Sequence, residues 1–163
     1  MLRALKKLSS RANGARFAII ASRYNSRYVD AMLKAARTEL KRGAAQRIDV
    51  IRVPGAFEIP AVASRLAARS SENPSKHAYD ALICFGVIFQ GQTSHADHIG
   101  WGVTHALAQI QVQYRIPVIH AVFVFEKEEH AQVRCLGKKH NRGTEAARTA
   151  LTMAQVMKDL LKL

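Results

Sequence analysis

The chain has 163 residues, the length of one domain with room for a hydrophobic core, and no apolar run approaches the ~18 residues of a transmembrane helix. Its two cysteines, Cys84 and Cys135, have no motif spacing, which argues against a disulfide framework and predicts a reducing compartment, the cytoplasm. The formal net charge of +13 would attract phosphorylated small molecules, nucleic acid or acidic membranes. The sequence contains no nucleic-acid-binding motif, so we predict no specific nucleic-acid binding, and we predict no association with a membrane.

The first residues differ in composition from the rest of the chain. Residues 1–14 contain four basic residues and no acidic residue. This composition predicts a mobile basic arm, followed by a single domain over residues 15–163. A targeting segment would share the acid-poor composition, but it ranks second because the stretch is short and has no clear cleavage signal.

Strands and helices alternate along the domain. Apolar runs predict strands at Arg16–Ser22, Ile48–Val53, Ala81–Phe89 and Val118–Phe125. The uninterrupted run of the third strand is typical of a strand covered on both faces, as in a parallel sheet. The sequence therefore predicts an α/β protein, a three-layer α/β/α sandwich with a mainly parallel four-stranded sheet of the flavodoxin-like kind.

Helix signals lie between these strands. Asn25 or Ser26 is expected to cap the first helix, Gly43 to end it, and Pro60 to fall in the first turn of the second. A third amphipathic helix follows the third strand. We expect a polar loop over residues 70–76, a short charged helix over 126–133, a basic loop over 136–141, and a last helix over 142–160 whose buried side extends to Leu161.

The stretch Phe85–Trp101 carries the strongest functional signal. The third strand ends in the small polar loop Gln90–Ser94, which can present backbone N–H groups and a hydroxyl to an anion. His95 stands where this loop meets a helix, and in open α/β sheets ligands bind at such joints. Its ordinary pKa of about 6.5 suits proton transfer near neutral pH. A lone histidine is more often a polar helix-start residue, and the loop matches neither dinucleotide-binding nor P-loop patterns.

Other candidate sites have ordinary structural interpretations that remain open. Tyr24 and Asn25 should reach the same sheet edge as His95, where they could stack on a heterocycle and bind a hydroxyl, or simply pack and cap. The stretch Pro54–Pro60 offers free backbone groups beside Glu58, or a rigid turn. The basic residues between Arg134 and Arg142 could bind phosphate, or form a solvated face.

A metal site at His95, Asp97 and His98 is not favoured. No cysteine is nearby in the sequence, and the H-E-x-x-H spacing is absent.

Five of these stretches, in order and spacing, resemble the lumazine synthase family. They are R-Y-N at residues 23–25, V-P-G-A-F-E-I-P at 53–60, G-V-I-F-Q-G-Q-T-S-H at 86–95, P-V at 117–118 and R-C-L-G-K-K-H-N-R-G-T-E-A-A at 134–147. The resemblance implies condensation of 5-amino-6-ribitylaminouracil with 3,4-dihydroxy-2-butanone 4-phosphate. The products are 6,7-dimethyl-8-ribityllumazine, phosphate and water, in the penultimate step of riboflavin biosynthesis. It also implies that no metal or redox cofactor is needed.

The resemblance assigns a role to each matching residue. It implies that His95 transfers protons, with help from Arg134 and Glu145. Tyr24 would lie against the pyrimidine ring, and Asn25 would hold the ribityl chain. The remaining substrate-binding positions would be Ala56, Phe57, Glu58, Val87, Ile88, Phe89, Gln92, Thr93, His120, Lys138 and Arg142.

The chain departs from the family pattern at four of its positions. Tyr24 and His120 stand where the family usually or often has Phe, Gln90 where an Arg is common, and Arg142 where a Lys is usual. Arg142 keeps the positive charge but changes its geometry. Substrate fit is therefore less firmly implied than the reaction.

The resemblance also implies a homo-oligomer. In the family, each site joins residues from two neighbouring subunits in a ring of five. Here the first set would be Tyr24, Val53–Glu58 and Ile88–His95, and the second set, from the neighbouring subunit, would be His120, Arg134, Lys138 and Arg142. Some members close twelve rings into a shell, and riboflavin synthase is a candidate partner. The alternatives are a non-catalytic relative that forms shells or binds flavin or lumazine, and a basic nucleic-acid-binding protein suggested by charge alone.

Overall fold

The computed structural model describes residues 14–72 and 78–163. Apart from Gly14, the basic arm expected over residues 1–14 lies outside the described residues. Within the described ranges, the strands are β1 (Arg16–Ser22), β2 (Arg47–Val53), β3 (Ala81–Phe89) and β4 (Val118–Phe125). They form one sheet in the order β2-β1-β3-β4, and every neighbouring pair is parallel. The prediction of a mainly parallel four-stranded sheet is confirmed.

Helices cover both faces of the sheet. Helices α1 (Ser26–Arg42) and α5 (Arg142–Leu160) pack on one face, and α2 (Ile59–Glu72) and α3 (His95–Tyr114) pack on the other. A 3₁₀ turn at Ala56–Glu58 precedes α2. A short helix α4 (Glu128–Ala131) follows β4 and continues into a π-helical turn at Gln132–Leu136. The three-layer α/β/α architecture is therefore confirmed, with β2 and β4 at the edges of the sheet.

The sheet core explains why β3 is so apolar. The first seven residues of β3 are buried, and its side chains contribute alternately to the two cores. Phe85 packs under α1 and α5, while Cys84 packs under α2 and α3. On the first face, a Cβ added at Gly143 would lie only 2.0 Å from the Met32 carbonyl oxygen, so α1 and α5 approach closely only because residue 143 is glycine.

Three local predictions are wrong. Ser70, predicted to begin a polar loop over residues 70–76, instead lies in α2, which continues to Glu72, and its buried hydroxyl accepts a hydrogen bond from the Tyr79 N–H. Residues 73–76 of that predicted loop lie outside the described residues. The charged helix expected over residues 126–133 is only α4, and the π-helical turn extends helical structure to Leu136. Leu161 follows the end of α5 and is 87% exposed. No helix in the described ranges is long and apolar enough to span a membrane.

Candidate active site

Residues that follow β1 connect the carboxyl ends of three strands. The Arg23 N–H donates a hydrogen bond to the Val53 carbonyl at the end of β2, with a distance of 2.9 Å. The Asn25 side-chain amide donates to the Val87 carbonyl of β3 at 2.8 Å. The ends of β1, β2 and β3 therefore form one edge, where parallel α/β sheets bind ligands.

Contrary to our prediction, the Asn25 side chain does not cap α1. It occupies the N-cap position, but its side chain makes no capping hydrogen bond, and Ser26 is the first residue of the helix. Its backbone is left-handed, with φ 54° and ψ 40°, a conformation that asparagine tolerates better than most residues. The Asn25 amide therefore links the residues after β1 to the end of β3 instead of capping the helix.

The Tyr24 ring lies against the turn that follows β2. The Tyr24 N–H donates to the Pro54 carbonyl at 3.1 Å, and a Cβ added at Gly55 would lie 3.2 Å from Tyr24 Cδ2. The Glu58 carboxylate closes the turn by accepting the Gly55 N–H at 2.8 Å. Tyr24 is nevertheless 72% exposed, so its ring is supported on one side and open to a planar group on the other.

The 3₁₀ turn packs onto both β3 and α3. A Cβ added at Gly86 would lie 3.2 Å from Ala56 Cβ, and one added at Gly102 would lie 3.6 Å from Phe57 Cε2. Phe57 remains 63% exposed. The turn therefore presents its backbone and an aromatic side chain at the edge formed by the strand ends.

The last residues of β3 complete this edge. The Phe89 ring packs edge-on against Tyr28, with ring centroids 5.6 Å apart, and lies 6.4 Å from the Phe125 ring. Ile88 packs on the opposite side of the sheet, with the α2 and α3 core. Val87 contributes its carbonyl oxygen to Asn25, as described above.

Hydrogen bonds at both ends fix the loop before His95. The Gln90 N–H donates to the Phe125 carbonyl at 2.9 Å, and the Gln90 side-chain amide donates to the Asp97 carboxylate at 3.1 Å. The His95 N–H lies 3.4 Å from the Thr93 hydroxyl. His95 is the first residue of α3, as expected, and it is exposed together with Gln92 and Thr93. An anion in this loop would meet a helix N-terminus and an imidazole ring.

The neighbours of His95 have other partners. The Ser94 hydroxyl bonds to His98 Nε2 at 3.2 Å, and Asp97 binds Gln90. Over the described ranges, no three His, Cys, Asp or Glu residues are grouped closely enough to hold a metal ion.

A separate cleft of about 450 Å³ lies beside the edge strand β4. Its walls include His120 and Phe123 of β4 and Arg142 and Glu145 of α5. The Arg142 guanidinium donates to the Glu145 carboxylate and lies 5.9 Å from the centroid of the Phe123 ring. Glu145 is therefore paired with Arg142 within the chain.

His120 lies well back from the carboxyl edge. It is in register with Cys84, five positions before the pair Phe89 and Phe125, which corresponds to ~16 Å along the strand. The Thr104 hydroxyl donates to the Gly100 carbonyl at 2.7 Å and lies 2.9 Å from His120 Nε2. The Thr104 hydroxyl therefore fixes the position of the His120 ring. Desolvation by burial lowers the pKa of His120, which favours the neutral form of the ring.

Arg134 and Lys138 lie on the segment between α4 and α5. Arg134 is exposed on the π-helical turn, and Lys138 is exposed just beyond it. The Asn141 side chain caps α5 by accepting the Gly143 N–H at 2.8 Å, and it donates to the Cys135 carbonyl at 2.6 Å. Asn141 therefore joins this segment to the start of α5.

The structure brings the first set of predicted residues together but separates it from the second. Within the part of the chain that the structure describes, no hydrogen bond or ion pair joins them. Thr104 and Phe123, which contact His120 and Arg142, were not among the residues predicted to form the site. Nothing in the sequence pairs Thr104 with a strand residue, whereas the position of Phe123 on β4 could have indicated an inward side chain.

The fold is a parallel α/β sheet of the flavodoxin-like kind. Its carboxyl edge carries an open turn, the Asn25 amide and His95, and proteins of this class bind ligands at that edge. The chain belongs to the 6,7-dimethyl-8-ribityllumazine synthase family, which it matches over residues 14–158.

Bacterial relatives match along almost the whole chain. A 6,7-dimethyl-8-ribityllumazine synthase of Stenotrophomonas maltophilia strain R551-3 is 39% identical over 148 residues, which cover 90% of this chain and 91% of the relative. The protein of the same name from Xanthomonas campestris pv. campestris strain B100 is 38% identical over 149 residues, covering 90% and 92%.

Proposed function

We propose that the chain catalyses the condensation of 5-amino-6-(D-ribitylamino)uracil with 3,4-dihydroxy-2-butanone 4-phosphate to 6,7-dimethyl-8-ribityllumazine, the penultimate step of riboflavin biosynthesis. The observation that carries the proposal is the carboxyl edge itself. There Tyr24, Asn25 and the 3₁₀ turn lie beside the ends of the strands, and His95 begins the helix that follows β3, in a chain that matches the family over residues 14–158. The retention of these groups does not favour a non-catalytic relative.

The uracil substrate would occupy the edge between Tyr24 and the end of β3. The open face of the Tyr24 ring supports stacking of the pyrimidine. One N–H of the Asn25 amide is used by Val87, so its second N–H and its carbonyl oxygen are available for ribityl hydroxyls. Backbone groups of Ala56–Glu58 would bind the rest of the ribityl chain, and those of Val87–Phe89 the pyrimidine edge.

The phosphate of the second substrate would lie in the loop at Gln92 and Thr93, near the N-terminus of α3. The exposure of this loop and its position at a helix start support the assignment. Arg134, with Lys138 and Arg142, would supply the cationic contacts. A guanidinium group can hold a phosphate through two hydrogen bonds.

The reaction needs proton transfer and stabilisation of a leaving anion. The substrate amine attacks the ketone, and loss of water gives an imine. His95 would then remove a proton from carbon, while Arg134 and the Thr93 loop stabilise the departing phosphate. The enol left by this elimination becomes a ketone, the ribitylamino nitrogen attacks it, and loss of a second water closes the ring. No step transfers electrons to an acceptor, so the reaction requires no redox cofactor. Orientation of two bound substrates would supply much of the acceleration.

Each site would be completed by a second copy of the chain. The distance between His120 and the carboxyl edge supports this, because one chain does not join the two sets. Exposed apolar residues on α3, with Trp101 66% and Val112 76% exposed, support a covered surface. We therefore include a homopentamer, and a shell of such rings, in the proposal. Both cysteines are buried free thiols, which supports a reducing compartment, the cytoplasm.

The test is product formation when the two substrates are mixed with the enzyme, followed by absorbance or fluorescence of the lumazine. We expect His95→Ala to fold normally and to lower kcat on the order of 10²-fold, the range for loss of a general acid or base. His98→Ala is the matched control, because His98 lies on the same helical turn but bonds to Ser94. No product from the wild-type chain would refute the activity, and an unchanged kcat for His95→Ala would remove that residue from the mechanism.

A further inference from the structure

A second cleft lies at the opposite end of the sheet, where β1 and β2 begin. Its volume is about 210 Å³, and its walls are formed by Arg16, Arg47, Leu66, Arg69, Ala78 and Tyr79. The seven residues of β1 separate it from the carboxyl edge by ~20 Å. The cleft therefore has no part in the site proposed above.

Two of its arginines are direct neighbours on the sheet. Arg16 and Arg47 are in register as the first residues of parallel strands, so their side chains leave the same face. Like charges in such positions destabilise a sheet unless an opposite charge lies between them. Arg69, in the last turn of α2, adds a third guanidinium group to the same cleft.

The neighbouring carboxylates do not neutralise this cluster. Asp49 accepts hydrogen bonds from Arg47 Nε at 2.7 Å and from the Tyr79 hydroxyl at 2.6 Å. Asp80 accepts the Arg16 backbone N–H at 2.7 Å and lies 3.9 Å from Lys158 Nζ. Arg16 Nε donates to the Gln46 amide oxygen at 3.4 Å. Among residues 14–72 and 78–163, neither the Arg16 nor the Arg69 guanidinium makes an ion pair.

Tyr79 is held as a rigid, neutral wall. Its N–H donates to the buried Ser70 hydroxyl at 3.0 Å, and its own hydroxyl is fixed by Asp49. Burial, followed by the hydrogen bond to Asp49, raises the pKa of Tyr79 to about 12, so the phenol adds no negative charge at neutral pH. Among the described residues, three guanidinium groups thus adjoin two carboxylates, Asp49 and Asp80, and both carboxylates already accept hydrogen bonds or lie beside another cation.

We propose that this cleft binds a small phosphate-type anion, inorganic phosphate or pyrophosphate, between Arg16, Arg47 and Arg69. The size of the cleft favours a small ligand, because sites for drug-sized molecules occupy ~300–1,000 Å³. The chemistry favours phosphate over a carboxylate, because several guanidinium groups can share the oxygens of one multivalent anion.

The experiment measures pyrophosphate and phosphate binding by calorimetry in the full chain carrying Arg134→Ala, which lacks the phosphate contact proposed for the other site. We expect one pyrophosphate per chain, and affinity at least about tenfold lower when Arg69→Gln is added. Arg65→Gln is the matched control, because Arg65 is exposed one turn earlier on α2 and does not line the cleft. It should change the affinity by less than about twofold.

The readout does not use catalysis, so it can fail or succeed independently of the proposed function. Absence of pyrophosphate binding, or equal weakening by Arg65→Gln and Arg69→Gln, would overturn the proposal. If Arg69→Gln impairs folding, Arg16→Gln tests the same cleft, because the backbone bond of Arg16 to Asp80 remains. If an oligonucleotide binds in an Arg69-dependent way and pyrophosphate does not, the cleft is a nucleic-acid contact and the small-anion proposal is wrong.

Discussion

Replacement of Asn25 separates the hydrogen bond that Asn25 makes from the backbone conformation that it adopts. Its amide donates to the carbonyl of Val87, a residue that is only 2% exposed. Asn25→Gly removes this bond but tolerates the left-handed backbone. Leaving a buried acceptor unpaired costs ~1–3 kcal/mol, so we expect the free energy of unfolding to fall by that amount. Asn25→Ala should lose about 1 kcal/mol more, because a Cβ disfavours φ 54°.

The assay is urea denaturation at a fixed chain concentration, because the stability of an oligomer depends on concentration. Ala44 supplies the control, since it has φ 60° and an alanine side chain that cannot form a hydrogen bond. Ala44→Gly should therefore stabilise the protein by about 1 kcal/mol. Equal destabilisation by Asn25→Gly and Asn25→Ala would refute the conformational part of the reasoning. Wild-type stability in both would show that the bond to Val87 contributes nothing.

Two further predictions concern the second set of residues. Arg134→Ala should raise the KM for the butanone phosphate far more than the KM for the uracil substrate, because a charge-assisted phosphate contact is lost. Steady-state kinetics measure both KM values. Equal increases in the two values would mean that Arg134 has a structural role. Desolvation by burial lowers the pKa of His120 below its ordinary 6.5, so below that pH the unfolded chain binds more protons than the folded chain. The free energy of unfolding, measured by denaturation, should therefore fall as the pH is lowered through 6.5. His120→Gln should reduce this dependence on pH. If the variant shows the same dependence, another group causes it.

Much of the fold could be predicted because buried strands and helix faces are visible in the sequence as runs or periodic patterns of apolar residues. β3 and β4 have the predicted boundaries, since each is an apolar run bounded by polar residues or proline. The start of α5 was also predictable from the basic loop before it. Leu161 was wrongly predicted to be buried, because the helical periodicity of apolar residues continues past the last turn of α5. There the described residues offer no surface that covers it.

The position of the edge that carries His95 was predictable, but the hydrogen bonds between the residues of that edge were not. The rule for parallel sheets places the residues after β1 and β3 together. It does not say that Asn25 will leave its helix uncapped to reach a carbonyl 62 positions away. The Arg142 and Glu145 pair is different, because its three-residue spacing on a helix is a readable signal.

The separation of the two sets within one chain leads to the last prediction, which concerns how the sites are assembled. His95→Ala damages only the first set, and Arg134→Ala damages only the second. In a ring with head-to-tail interfaces, a site that joins neighbouring chains can draw its first set from one variant and its second set from the other. A site contained within one chain would always keep the defect of that chain.

The two inactive variants would be dissociated together, mixed in equal amounts and reassembled, then assayed at a limiting concentration of the butanone phosphate. Random assembly makes about a quarter of the shared sites fully intact, so activity should return to about a quarter of the wild-type value. Each variant treated alone is the control, and it should stay inactive. Sedimentation of the same samples must show that mixed assemblies formed and would tell a pentamer from a shell. If mixed assemblies remain as inactive as their parents, each site lies within one chain, and the distance between His120 and the carboxyl edge would instead mean that His120 does not contact the substrate.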